Sequence, residues 1–175
     1  MSRSVFRKTT FAAALLASPL FTAPATAQLA VADIELSAGV TSESTAALKA
    51  TLDRQWSLER FHERLSLRLG GGLLLLSSEE QDGNAALLLS PALRWTFTGE
   101  RGLFVEAGIG AALFLKTRVE ARNLSTAFQF EDRLALGLPW AAGELSLALT
   151  HYSNAGIKRP NDGFETLTLG YRFPL

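Results

Sequence analysis

Along most of this chain apolar and polar residues change places at every second position, the period of a strand that buries one face. Ala32, Ile34, Leu36, Ala38 and Val40 alternate with Asp33, Glu35, Ser37 and Gly39. Leu48, Ala50, Leu52 and Trp56 alternate with Lys49, Thr51, Asp53 and Gln55, with Arg54 on the apolar side near the strand's end. A third strand over 64–77 sets Leu65, Leu67, Leu69, Leu73 and Leu75 against Ser66, Arg68, Gly70 and Gly72. The fourth, over 85–97, contains Pro91, which lacks a ladder donor and predicts a bulge. Residues 103–117 alternate Val105, Ala107, Ile109, Ala111 and Leu113 with Phe104, Glu106, Gly108, Gly110 and Ala112. Over 125–138 Glu131, Arg133, Ala135 and Gly137 share one face, and Phe128, Phe130, Leu134 and Leu136 the other, where parity also places Asp132. Leu145, Leu147 and Leu149 lead to His151 and Ser153 on the same face, and Glu165 leads to Leu167, Leu169, Tyr171 and Phe173. Short turns separate the strands; His62 lies in the 57–63 turn as a surface histidine without a role.

Eight such strands, each long enough for the 9 to 11 or so tilted residues that cross a bilayer, predict an all-β fold: an eight-stranded antiparallel transmembrane β-barrel of the outer membrane. Charges share the face that carries the glycines, so that face is the interior. Glu106, Glu131, Arg133, Arg68 and Arg172 are expected to pair there, because a buried ion without a partner is very costly. A soluble lipocalin-like barrel would need the opposite arrangement, an apolar lumen and a polar exterior.

The first residues add an address. Arg3, Arg7 and Lys8 precede a mostly small and apolar run from Phe11 to Phe21, and Ala25-Thr26-Ala27 offers a small-x-small cleavage site. This reads as a signal peptide over 1–27, ahead of a barrel domain over 28–175; the apolar run is too short for a membrane-spanning helix. Taking those three from the 17 basic residues leaves 14 against 17 acidic ones, so no basic field argues for nucleic acid. The chain has no cysteine, which suits the cell envelope without proving it.

One stretch carries chemistry. In His151-Tyr152-Ser153-Asn154-Ala155-Gly156-Ile157-Lys158-Arg159-Pro160-Asn161-Asp162-Gly163-Phe164-Glu165 a base, a hydroxyl and a carboxylate sit at the two ends of one turn, all on the apolar face. Residues two apart on a strand are about 6.6 Å apart, and paired strands about 4.8 Å, so one imidazole can reach both the hydroxyl and the carboxylate. That arrangement makes a serine nucleophilic and fixes the histidine tautomer. A polar strand end capped by a loop is the plainer alternative.

The segment resembles the signature of the PagL family, lipid A 3-O-deacylases of Gram-negative outer membranes, through His151, Ser153, Asn154, Gly156, Pro160, Asn161, Gly163 and Glu165. The stretches Glu106 to Gly110 and Phe130 to Arg133 resemble the family's fifth and sixth strands. The resemblance implies a catalytic triad of Ser153, His151 and Glu165 facing lipid at the outer leaflet, with lipopolysaccharide (lipid A) as substrate and outer-membrane lipid as surroundings. It implies hydrolysis of the 3-O-linked 3-hydroxyacyl ester with neither metal nor cofactor. Asn154, Gly156 and Asn161 are the candidates for the oxyanion hole, Phe130 and Asp132 for substrate contact, and Lys158 and Arg159 for pairing with phosphates. A homodimer and a monomer both stay open, and the alternative function is a non-enzymatic small barrel, an adhesin or structural protein.

Overall fold

The computed structural model describes residues 32–77, 83–97 and 102–175. The 1–27 segment and most of the 78–84 and 99–102 connections lie outside the described residues. Ten strands follow in order: β1 (Asp33–Thr41), β2 (Ala46–Ser57), β3 (Leu65–Leu76), β4 (Asn84–Thr96), β5 (Phe104–Phe114), β6 (Arg118–Val119), β7 (Arg122–Asn123), β8 (Phe128–Trp140), β9 (Gly143–Ser153) and β10 (Phe164–Pro174). Eight of them close into one antiparallel barrel in the order β1-β10-β9-β8-β5-β4-β3-β2. The seam is an unbroken ladder from Asp33↔Pro174 to Thr41↔Thr166. Closure leaves no edge strand, and that allows a barrel to sit where no water can satisfy a free backbone group.

Side chains follow the alternation in the sequence. The outer surface carries Leu36, Leu48, Leu52, Leu87, Leu93, Leu134, Leu147, Leu167 and their like, each about half exposed in the protein alone. So much exposed leucine requires an apolar surrounding, the reverse of a soluble ligand carrier. The interior holds the charges. Arg133 donates to Glu106 at 2.5 Å, and Arg68 and Arg172 each approach Glu106 at 3.2 Å, joining four of the five residues expected to pair; Glu131 finds another partner. The network extends to Glu35 and Asp53 through Arg172 and to Glu144 through Arg94 at 2.5 Å; Lys49 holds Glu131 at 2.7 Å as a separate pair.

The barrel has two unlike ends. At one end lie both ends of the barrel chain and the 58–64 and 141–142 connections; at the other, the loop end, lie 42–45, 115–127 and 154–163. Inside the loop end the charges give way to an apolar plug of Leu74, Leu76, Leu88, Phe114, Tyr152 and Phe164, completed by Val119 and Leu124.

Three details depart from the sequence reading. No bulge forms at Pro91: the β3–β4 ladder passes straight through Leu69↔Pro91, and β4–β5 pairing lapses between Leu89↔Ala111 and Leu93↔Ala107 without a change of register. Opposite the lapse, Gly108 lets the strands come close, since a Cβ there would meet Pro91 O at 2.0 Å. The hairpin β6–β7 was not anticipated. The last turn shrinks to Ala141 and Ala142, with Ala141 at φ 51°.

Candidate active site

β9 and β10 form the hairpin that carries the site. Their register sets Glu165 opposite His151 and Phe164 opposite Tyr152. On the other side of β9, β8 sets Asp132 opposite His151 and Phe130 opposite Ser153. Parity then sorts these groups. Tyr152 and Phe164 point inward, fully buried and stacked with centroids 5.0 Å apart. His151, Ser153, Glu165, Asp132 and Phe130 project from the outer wall, as the alternation in the sequence requires.

The imidazole and the carboxylate meet: His151 Nδ1 lies 2.9 Å from Glu165 Oε1, with the two side chains 41% and 47% exposed in the protein alone. That contact leaves Nε2 as the nitrogen free to take a proton. Ser153 shares the face, two residues along the same strand, and its hydroxyl makes no hydrogen bond among the described residues. The base and the acid are therefore joined, while the Ser153–His151 contact is unmade. In resting hydrolytic sites such contacts often tighten only with substrate in place.

The loop between the strands is ordered by one side chain. Asn154 is wholly buried; its Nδ2 donates to Leu124 O and Lys158 O, both at 2.9 Å, and its Oδ1 accepts from Gly156 N at 2.9 Å. Its own N–H donates to Asn161 Oδ1 at 3.0 Å. Ala155 and Gly156 take positive φ at 52° and 80°, so the chain turns sharply around that amide, and Arg159-Pro160 is cis. Of the three expected oxyanion donors, Asn154 and Gly156 already give their protons to the loop in this arrangement. Asn161 Nδ2 is the one with no partner among the described residues.

Glycine at 163 is set by two constraints. Its φ is +58°, and a Cβ there would stand 3.1 Å from His151 Cε1, so Gly163 both turns the chain and backs the imidazole. Asp132 is exposed and makes no hydrogen bond among the described residues; Phe130 packs edge-on against Phe128 at 5.1 Å, forming an aromatic ledge beside Ser153. Lys158 and Arg159 are exposed on the loop. His62 lies at the far end of the barrel, against Trp95 at 4.4 Å.

Contacts that no motif announces complete the surroundings. Ser42 N donates to Glu165 O at 2.8 Å, and Glu165 N donates to Ser42 Oγ at 3.3 Å, so the β1–β2 turn is tied to the acid. Asn123 N donates to Asp162 Oδ2 at 2.7 Å, which docks β7 on the loop. Such pairs lie 39 or 123 residues apart in sequence, and spacing gives no sign of them.

Comparison with known proteins identifies the family. The family model described as lipid A 3-O-deacylase (PagL) matches residues 34–174. Lipid A deacylase PagL of Pseudomonas aeruginosa is 34% identical over 150 residues, covering 82% of this chain and 87% of that protein. Its namesake in Bordetella bronchiseptica is 43% identical over 84 residues, 47% of this chain and 46% of that one. The crystal structure of the outer membrane enzyme PagL matches with a TM-score of 0.75 at 33% identity, covering 82% of this chain and 99% of that one. A designed transmembrane β-barrel shares the fold alone, with a TM-score of 0.54 at 10% identity over 83% of this chain and 96% of that one. An eight-stranded barrel with an apolar outer wall, matched over nearly its whole length, settles the lineage: the chain belongs to the PagL family of lipid A 3-O-deacylases, ester hydrolases of the outer membrane.

Proposed function

We propose that the protein removes the 3-O-linked 3-hydroxyacyl chain of lipid A by acyl transfer to Ser153. The observation that carries this reading is the His151–Glu165 contact on the outer wall, on the face shared with Ser153 and bordered by leucine. A site facing outward meets its substrate in the bilayer and not in the lumen. With the barrel's N-terminus in the periplasm, the loop end is extracellular, and the site stands at the level of the outer leaflet, where lipopolysaccharide presents its acyl esters.

His151 Nε2 takes the Ser153 proton as Oγ attacks the ester carbonyl, giving a tetrahedral intermediate with its charge on oxygen. Glu165 holds the ring through Nδ1 and stabilises the imidazolium. The intermediate collapses, the sugar 3-oxygen leaves with the proton returned by His151, and an acyl-serine remains. Water, deprotonated by His151, then attacks that ester and releases the 3-hydroxy fatty acid and free Ser153. Asn161 Nδ2 is the side-chain donor available to the oxyanion, and the Gly156 amide joins it if the loop yields its bond to Asn154. Phe128 and Phe130 offer the acyl chain an aromatic ledge, and Asp132 stands where sugar hydroxyls would lie. All three triad residues come from one chain, so the chemistry needs no second copy.

The test is mass spectrometry of lipid A from cells expressing the protein. We expect loss of one 3-hydroxyacyl group with wild type and none with Ser153→Ala. An unchanged profile from a folded wild-type barrel in the outer membrane would reject the assignment.

A further inference from the structure

Three consecutive residues, Arg122, Asn123 and Leu124, bond to both the β9–β10 loop and the β1–β2 turn. Leu124 O accepts from Asn154, one residue beyond Ser153. Asn123 exchanges hydrogen bonds with Asp162, its N–H donating to Oδ2 at 2.7 Å and its carbonyl accepting from the Asp162 N–H at 3.3 Å. Arg122 reaches the opposite flank. Its Nε and Nη2 both lie 2.6 Å from Glu43 Oε1, and Glu43 follows Ser42, which is bonded to Glu165 through N and Oγ. The hairpin leaves the barrel between β5 and β8 yet fastens beyond β10, at the β1–β2 turn, where Thr45 Oγ1 also donates to Glu120 at 2.9 Å. It spans the loop end as a strap across the catalytic hairpin.

The charges there are mixed. His151 faces Glu165 from β10 and Asp132 from β8, with Asp162 and the exposed cations Lys158 and Arg159 in the loop and Glu43 on the adjoining turn. Arg122 is bonded to Glu43. Taking the triad reading above as its basis, we propose that Arg122 is a positioning residue for the site, holding the β1–β2 turn against Glu165.

Without Arg122 the β1–β2 turn loses its guanidinium tie to the strap, so Ser42 holds Glu165 less firmly against His151.

The experiment measures kcat and KM for the purified, folded barrel acting on lipopolysaccharide in detergent, with Arg122→Ala, Arg122→Lys and Ser153→Ala. We expect Arg122→Ala to lower kcat severalfold with KM little changed. Arg122→Lys, which keeps a cation for Glu43, should restore most of the loss. An Arg122→Ala enzyme with wild-type kcat, or a loss that Arg122→Lys does not restore, overturns the proposal. Activity that survives Ser153→Ala would instead overturn the triad reading on which it rests, so the two failures are told apart.

Discussion

Replacing Asn154 by alanine tests whether the loop is as dependent on one amide as its geometry indicates. The substitution leaves Leu124 O, Lys158 O and Gly156 N–H without the partners they have at 2.9 Å. A typical intramolecular hydrogen bond contributes about 1 kcal/mol net, more where the abandoned group stays dry, so the three together hold the loop by about 3 kcal/mol. The barrel ladders share none of these bonds, and the variant should insert and close normally. If catalysis requires the present loop, each 1.4 kcal/mol or so of that energy costs a factor of ten, and activity should fall by roughly a hundredfold. The assay is the initial rate of fatty acid release from lipopolysaccharide in detergent, with folding followed by the shift in gel mobility between unheated and boiled samples. Asn154→Asp should do no better, since it keeps the acceptor, loses both donated bonds and buries a charge. A folded Asn154→Ala barrel within threefold of wild type would refute the reasoning.

Two other substitutions probe other parts of the molecule. Gly163→Ala places a β-substituted residue at φ +58° and its methyl 3.1 Å from His151 Cε1; left-handed strain of about 1 kcal/mol and a displaced imidazole should lower kcat about tenfold with little change in the midpoint of guanidinium unfolding. Glu106→Gln removes the carboxylate on which Arg68, Arg133 and Arg172 converge; leaving buried cations unmatched should destabilise the barrel by about 3 kcal/mol or more, read as a lower unfolding midpoint, and a midpoint equal to wild type would contradict the role given to the network.

Most of the barrel was legible because its period is two: one count of parity places Glu106 and Arg133 inside, and Leu147, His151 and Glu165 outside. The same count fails where both faces are apolar. In Leu73-Leu74-Leu75-Leu76 and Leu87-Leu88-Leu89 every residue is leucine, so the inward members that make the plug carry no mark. Pro91 predicts a bulge only if its missing donor must interrupt both ladders; the interruption falls on the β5 side alone. The strap β6–β7 has two residues per strand, too few to alternate, and its hold on the site depends on bonds between distant parts of the chain. At the site, the histidine, acid and hydroxyl could be placed from sequence, whereas the work of Asn154 could not. An asparagine in a loop motif can offer its amide to a ligand or to neighbouring carbonyls, and only the fold shows Leu124 O and Lys158 O already waiting for it.

The plug and the matched charges beneath it bear on permeability. A ring of strands invites comparison with a pore, but here leucine and aromatic side chains seal one mouth, and guanidinium–carboxylate pairs occupy the space below. An ion entering would have to displace bonded pairs and then cross a dry disc. Planar lipid bilayers containing the protein should show no conductance steps, and a cell can carry many copies without becoming leaky to salts or small hydrophilic antibiotics.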